Sequence, residues 1–104
     1  MIYLMHIRQI VPGKMGEYND FQVKEFQPML KKNGIKVAAY WTTAIGNANE
    51  SIAVFAFDDA GQWQKQMDAM NQDPDYKKVS PKLASMTVNS TSRLLRGLPW
   101  SPLK

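Results

Sequence analysis

Cysteine is absent from the 104 residues, and histidine occurs once. Without thiols, disulfide frameworks, thiolate zinc sites and thiol catalysis are excluded. A single histidine excludes two-histidine metal motifs within one chain. No metal and no cofactor is therefore expected. A strong charge of one sign is missing too: 13 Lys and Arg stand against 9 Asp and Glu, a net +4. The surplus is spread evenly, and the longest basic runs are the pairs Lys31-Lys32 and Lys77-Lys78. Nucleic-acid surfaces gather their basic residues into a patch or stripe, so no nucleic-acid partner is expected. No apolar run approaches the roughly 18 residues of a membrane span. The apolar start is interrupted by His6, Arg8 and Gln9 and lacks a basic n-region and a small-residue cleavage site. The expectation is a cytoplasmic protein without membrane contact.

What is present reads as one folded unit. Hydrophobic residues make up 44% and charged residues 21%, which excludes disordered and collagen-like chains. The length suits one domain, expected over 1–97, with an extended tail over 98–104 holding Pro99 and Pro102. Residues 2–11 alternate as a strand that Pro12-Gly13 stops. Over 14–33, Met15, Tyr18, Gln22, Phe26, Met29 and Leu30 share one helical face, and Gly34 is placed to close the helix. Residues 35–45 and 50–57 predict two strands joined through Gly46-Asn47-Ala48-Asn49, an antiparallel hairpin. Asp58 or Asp59 can cap a helix that carries Trp63, Met67 and Met70 on one face. Asp73-Pro74-Asp75 restarts a helical segment, and Pro81 predicts a break or kink after Ser80. Residues 87–96 predict a last strand. The order is βαββαβ, an α+β ferredoxin-like fold: a four-stranded antiparallel sheet with helices on one face.

Two of the strands are apolar on both faces. Tyr3, Met5 and Ile7 alternate with Ile2, Leu4 and Ile10, and Ile52, Val54 and Ala56 with Ala53, Phe55 and Phe57. Helices can cover only one set, and the other leaves a patch of a size soluble monomers rarely show. A second copy is the simplest cover, so a homodimer is expected, with the two sheets forming a barrel able to hold a small ligand. The uniformly apolar sets (Tyr3, Met5, Ile7 and Ile52, Val54, Ala56) are expected under the helices. Leu4, His6, Arg8, Phe55 and Phe57 are then expected inside the barrel. Tyr40 and Trp41 take opposite faces, and alternation does not phase that strand.

The chain resembles the NIPSNAP family along its whole length. The likeness rests on Ile2-Tyr3, Pro12-Gly13-Lys14, Ala39-Tyr40-Trp41-Thr42-Thr43, Gly46 with Asn49-Glu50, Asp73-Pro74, Leu94-Leu95 and Pro99-Trp100-Ser101-Pro102-Leu103. It implies a ferredoxin-like fold and a dimeric α+β barrel, and no single reaction. Similar barrels include cofactor-free monooxygenases, haem-degrading enzymes and isomerases. The first strand departs from the family, with Leu4, His6 and Arg8 where Glu, Arg and Tyr are typical. Ala53 and Phe55 stand where His and Trp are common.

The candidate site follows from the few polar groups among these apolar ones. His6 suits a general base near neutral pH, with Arg8 stabilising an anion; the favoured reading of the residue itself is a structural His bonded to a backbone or water group. Leu4, Gln22, Tyr40, Trp41 and Phe55 complete a ligand-binding set, although a bond to a neighbouring backbone group is the favoured role of Gln22. Two functions result. One is a binding protein for a small apolar or aromatic ligand, or one acting through protein contacts. The other is a cofactor-independent enzyme, a monooxygenase or isomerase acting on an aromatic or polyketide-like substrate with His6 as base. RNA recognition is set aside: Phe55 and Phe57 imitate its stacking aromatics, but Ser51-Ile52-Ala53 lacks the basic-Gly start.

Overall fold

The β-forming segments become four strands in the computed structural model, which describes residues 1–103. In chain order the elements are β1 (Ile2–Ile10), α1 (Met15–Phe21), a π-helical turn (Gln22–Phe26), α2 (Gln27–Lys32), β2 (Lys36–Thr42), β3 (Glu50–Phe57), α3 (Ala60–Gln72), α4 (Pro74–Ser85) and β4 (Thr87–Arg96). The sheet order is β2-β3-β1-β4 with every neighbouring pair antiparallel. This is the ferredoxin-like βαββαβ fold.

The stretch expected as one helix over 14–33 widens in its middle. Pro28 has no N–H to donate, and its ring would crowd the carbonyl four residues back. The wide turn stands immediately before it. Within that turn Gln22 and Phe26 are both buried, so the irregularity aims two side chains at the sheet. Gly34 closes the helix at a φ of 72°, where a glycine has no Cβ clash.

The break between α3 and α4 falls on Asp73, as expected. Its Oδ1 accepts from the Asp75 backbone N–H at 2.9 Å and from Lys32 Nζ at 3.1 Å, and its Oδ2 accepts from Asn33 Nδ2 at 2.8 Å. These bonds, that of Asn33 foremost, hold the Asp73 carboxyl below the ordinary carboxylate range. One carboxylate thus caps α4 and ties it to the end of α2.

Three expectations fail. Pro81 does not break its helix: α4 runs through it to Ser85. The proline is exposed, Val79 and Leu83 pack to either side of it, and Lys82 pairs with Glu25 at 2.7 Å. Packing on both sides offsets one missing hydrogen bond. The strand expected over 35–45 stops at Thr42, because the register pairs Thr42 with Ser51 near the start of β3 and leaves Thr43 to Ile45 without a partner strand. The tail expected to be extended turns at Leu98–Ser101, where the Ser101 N–H donates to the Leu98 carbonyl at 2.9 Å. Trp100 there is 79% exposed.

The expected assignment of sheet faces is inverted. Leu4, Ile10, Ala53, Phe55 and Phe57 belong to the buried core with Phe26, Leu30, Val79 and Met86. His6 and Arg8 share their face, under the helices. The residues in alternate register are Tyr3, Met5, Ile7, Ile52, Val54 and Ala56, joined by Ala39, Trp41 and Leu95 across the sheet. They form the face away from the helices. Both sets are apolar, so apolarity does not choose between them. Volume does: two phenylalanines with Leu4 and Ile10 fill the space beneath two helices at interior packing density, and Val54 and Ala56 cannot. Phe55 and Phe57 are buried, so neither is presented on the open face for a base to stack on.

Candidate functional site

Even-numbered residues of β1 point toward the helices, and the register sets Leu4 beside Phe55, His6 beside Ala53 and Arg8 beside Ser51. Over them lie Phe26 from the π-helical turn, Leu30 from α2, Met67 and Met70 from α3, and Tyr76 and Leu83 from α4. Together they enclose a cavity of about 90 Å³. A second, open space of about 400 Å³ lies between α4 and β4, lined by Ser80, Thr87, Asn89 and Ser90 among others. His6, Arg8, Tyr76 and Leu83 line both spaces. The small apolar chamber and the polar groove thus adjoin at His6, Arg8, Tyr76 and Leu83.

His6 carries no charge at neutral pH. Burial first, and the neighbouring Arg8 guanidinium second, hold its imidazole down to about 4. Its ring stands edge-on to Phe55 at 6.1 Å, and its Nδ1 is buried with no hydrogen-bond partner among the described residues. A neutral imidazole with a free nitrogen can accept a proton or a hydrogen bond from a ligand.

The same burial makes stability depend on pH. At pH 7 the histidine is neutral in both the folded and the unfolded chain. Below about 6.5 the unfolded chain takes up a proton that the folded chain refuses until about 4, so stability falls as pH drops through that window. Between about pH 7 and pH 5 the loss should be about 1–2 kcal/mol. Urea unfolding at both pH values checks this. His6→Asn, which does not titrate, should lose less by that amount; equal losses in the two proteins would contradict it.

Arg8 is 8% exposed. Its guanidinium carbon lies 5.8 Å from the centroid of the Phe26 ring, inside cation–π range. The ion pairs among the described residues are Lys14–Glu17, Lys32–Asp73, Lys32–Asp75 and Lys82–Glu25, and none includes Arg8.

The other expected ligand residues do not join this chamber. Gln22, Tyr40 and Trp41 line a separate groove of about 340 Å³ at the β2 side, with Tyr18, Glu50 and Ser51. There the Tyr18 hydroxyl and Ser51 Oγ share a hydrogen bond of 2.9 Å, and Gln22 Nε2 donates to the Tyr18 hydroxyl at 3.0 Å. Gln22 thus bonds a side chain and not backbone, and its Oε1 is buried without a partner among the described residues. The Tyr40 hydroxyl is likewise buried and unpartnered, and its ring meets Phe55 edge-on at 6.3 Å. Burial, with Tyr18 adding and Arg8 opposing, pushes it up to about 12. Trp41 pairs with Ile52 on the open face and is 59% exposed. The structure therefore groups Leu4, His6, Arg8 and Phe55, and sets Gln22, Tyr40 and Trp41 around a separate groove at the β2 edge, with Trp41 in register with Ile52 of the open face.

Of the other chamber residues, Phe26, Leu30, Met67 and Met70 were read in the sequence only as apolar helix faces, and Ile35, Tyr76 and Leu83 were not singled out; Tyr76 and Leu83 show what hid them. Their spacing with Val79 (i, i+3, i+7) is an apolar helical stripe, which the expected break at Pro81 had cut in two. Among the described residues no three of His, Cys, Asp and Glu come together as a metal site, and no helix is long and apolar enough to cross a membrane.

The sequence matches the NIPSNAP family model over residues 3–102. Comparison with curated protein sequences gave no significant match. Among solved structures, a NIPSNAP family protein from Agrobacterium tumefaciens superposes with a TM-score of 0.92 at 22% identity, over 99% of this chain and 98% of the other. A NIPSNAP domain protein from Burkholderia xenovorans gives 0.91 at 20% identity, over 98% and 99%. A putative antibiotic biosynthesis monooxygenase from Nitrosomonas europaea gives 0.71 at 11% identity, over 94% and 99%. At these identities the likeness is one of fold.

Proposed function

As the chain belongs to the NIPSNAP family, we propose that it is a cytoplasmic homodimer that binds a small apolar or aromatic molecule beneath its helices, at His6 and Arg8. The observation that carries this reading is the apolar chamber that adjoins an open groove at those two residues. A chamber of about 90 Å³ suits few-carbon groups; benzene occupies an apolar cavity of ~150 Å³, so a single ring requires the lining side chains to give way. The dimer rests on the second sheet face, where Met5, Ile7, Ile52 and Trp41 form one apolar surface that the helices leave uncovered. Two such faces packed together close the barrel. Ligand binding is then assigned to the sheet–helix space of each protomer and not to the barrel interior.

A cofactor-independent enzyme is the second reading, favoured by the neutral His6 with its free Nδ1 beside Arg8. That pair is suited to removing a proton from an acidic carbon or phenol and stabilising the resulting anion. Native mass spectrometry of freshly purified protein tests the first reading. A dimer carrying up to one small molecule per protomer is expected; a bare monomer that takes up no added aromatic compound would refute it. If a reaction is found with a bound compound, His6→Ala abolishes turnover on the enzymatic reading and keeps the ligand.

A further inference from the structure

We propose that Arg8 is the receptor for a carboxylate, so that the ligand of the chamber is a small organic acid whose apolar part lies between Leu4, Phe55 and Met70. The inference rests on the chamber being a binding site and names the chemical class it takes. A guanidinium does not give up its proton inside a protein. Buried charges are held by a partner, because an unpaired one is costly in a medium of low polarity. Arg8 is more than nine-tenths buried and has no acidic partner among the described residues. Its one specific contact is the face of Phe26. Ser51, its neighbour on β3, already spends its hydroxyl on Tyr18.

Neither space that meets at Arg8 contains an Asp or a Glu among its lining residues. No Arg8 nitrogen is among the buried side-chain atoms that lack a partner, so the guanidinium is presented to the groove, open to an anion that arrives from outside. A carboxylate matches the planar fork of a guanidinium with two parallel hydrogen bonds, where a neutral group makes fewer. The position of Arg8 sets the direction of binding: the acid at the junction of chamber and groove, the apolar part inward. His6 is neutral there and adds a hydrogen-bonding nitrogen without a competing charge.

The experiment is calorimetric titration of the full chain with benzoate and with its neutral counterpart benzamide, at constant ionic strength. Benzoate should bind the wild-type protein at least about tenfold more tightly, the usual advantage of a charged hydrogen bond. Arg8→Met, similar in length and apolar, should remove that preference, weakening benzoate far more than benzamide. Should Arg8→Met not fold, Arg8→Lys carries the test: it keeps the charge and loses the fork, so the preference shrinks. If benzamide binds as well as benzoate, the carboxylate proposal fails and the chamber remains a neutral-ligand site. If benzoate keeps its preference in the folded Arg8 variant, the proposal also fails. If neither compound binds the wild type, the binding reading itself fails and the proposal with it.

Discussion

Ile52→Glu should convert a dimer into a folded monomer. Ile52 lies in the middle of the open face, in one cross-strand row with Trp41 on β2, Ile7 on β1 and Thr91 on β4. It is only half-buried within the protomer, so a glutamate there can reach water when the protein is alone. In a two-fold dimer each copy would bury its carboxylate against the partner's sheet. An unpaired charge in such an interface costs several kcal/mol, and dimer affinity should fall by at least about a thousandfold. The cost to the protomer is small, about 0.5–1 kcal/mol of strand preference. Sedimentation velocity checks the association and circular dichroism the fold. A wild-type protein that sediments as a monomer, or a variant that stays dimeric, would show that this face is not the interface.

Phe26→Ala should cause the largest loss of stability at the site. Phe26 is almost wholly buried, meets Phe21 at 6.0 Å and lies under the Arg8 guanidinium. Its removal takes away a core ring and enlarges a chamber that already exists. Such truncations cost about 3–5 kcal/mol, a drop in melting temperature on the order of 15–25 °C for a domain of this size. Phe26→Leu should lose clearly less, because it refills most of the volume, though it gives up the ring face beneath Arg8. Thermal unfolding of the two variants checks the order. Equal, small losses would mean that the π-helical turn does not fix the roof of the chamber.

The sequence made the order of elements legible because its punctuation is strong. Pro12-Gly13, Gly34, the Gly46–Asn49 turn and the Asp59 and Asp73 caps all fall where local chemistry leaves little choice, and each ends or begins an element as expected. The faces of the sheet were not legible by the same route. Strand alternation separates Leu4, His6 and Arg8 from Tyr3, Met5 and Ile7, but both sets are mainly apolar, and which one meets the helices depends on side-chain volume summed over three elements. The π-helical turn was missed because the apolar face of 14–33 fits a regular helix; only Pro28 marks the irregularity. Tyr76 and Leu83 were missed because Pro81 outweighed the stripe on which they lie. His6, Arg8, Leu4 and Phe55 were found together because β1 and β3 pair directly. Trp41 was grouped with them by its chemistry, and one residue of register puts it on the other face.

Seven methionines make the protein its own reporter. Met67 and Met70 line the chamber beneath the helices, and Met5 lies on the open face of the sheet. In a protein labelled with ¹³C at the methionine methyls, titration with benzoate should move the Met67 and Met70 signals through the ring current of the bound acid and leave Met5 in place. Dilution should do the reverse, moving Met5 as the dimer separates. Benzoate shifts at Met5, with Met67 and Met70 unmoved, would put the ligand between the sheets and contradict a site built on His6 and Arg8.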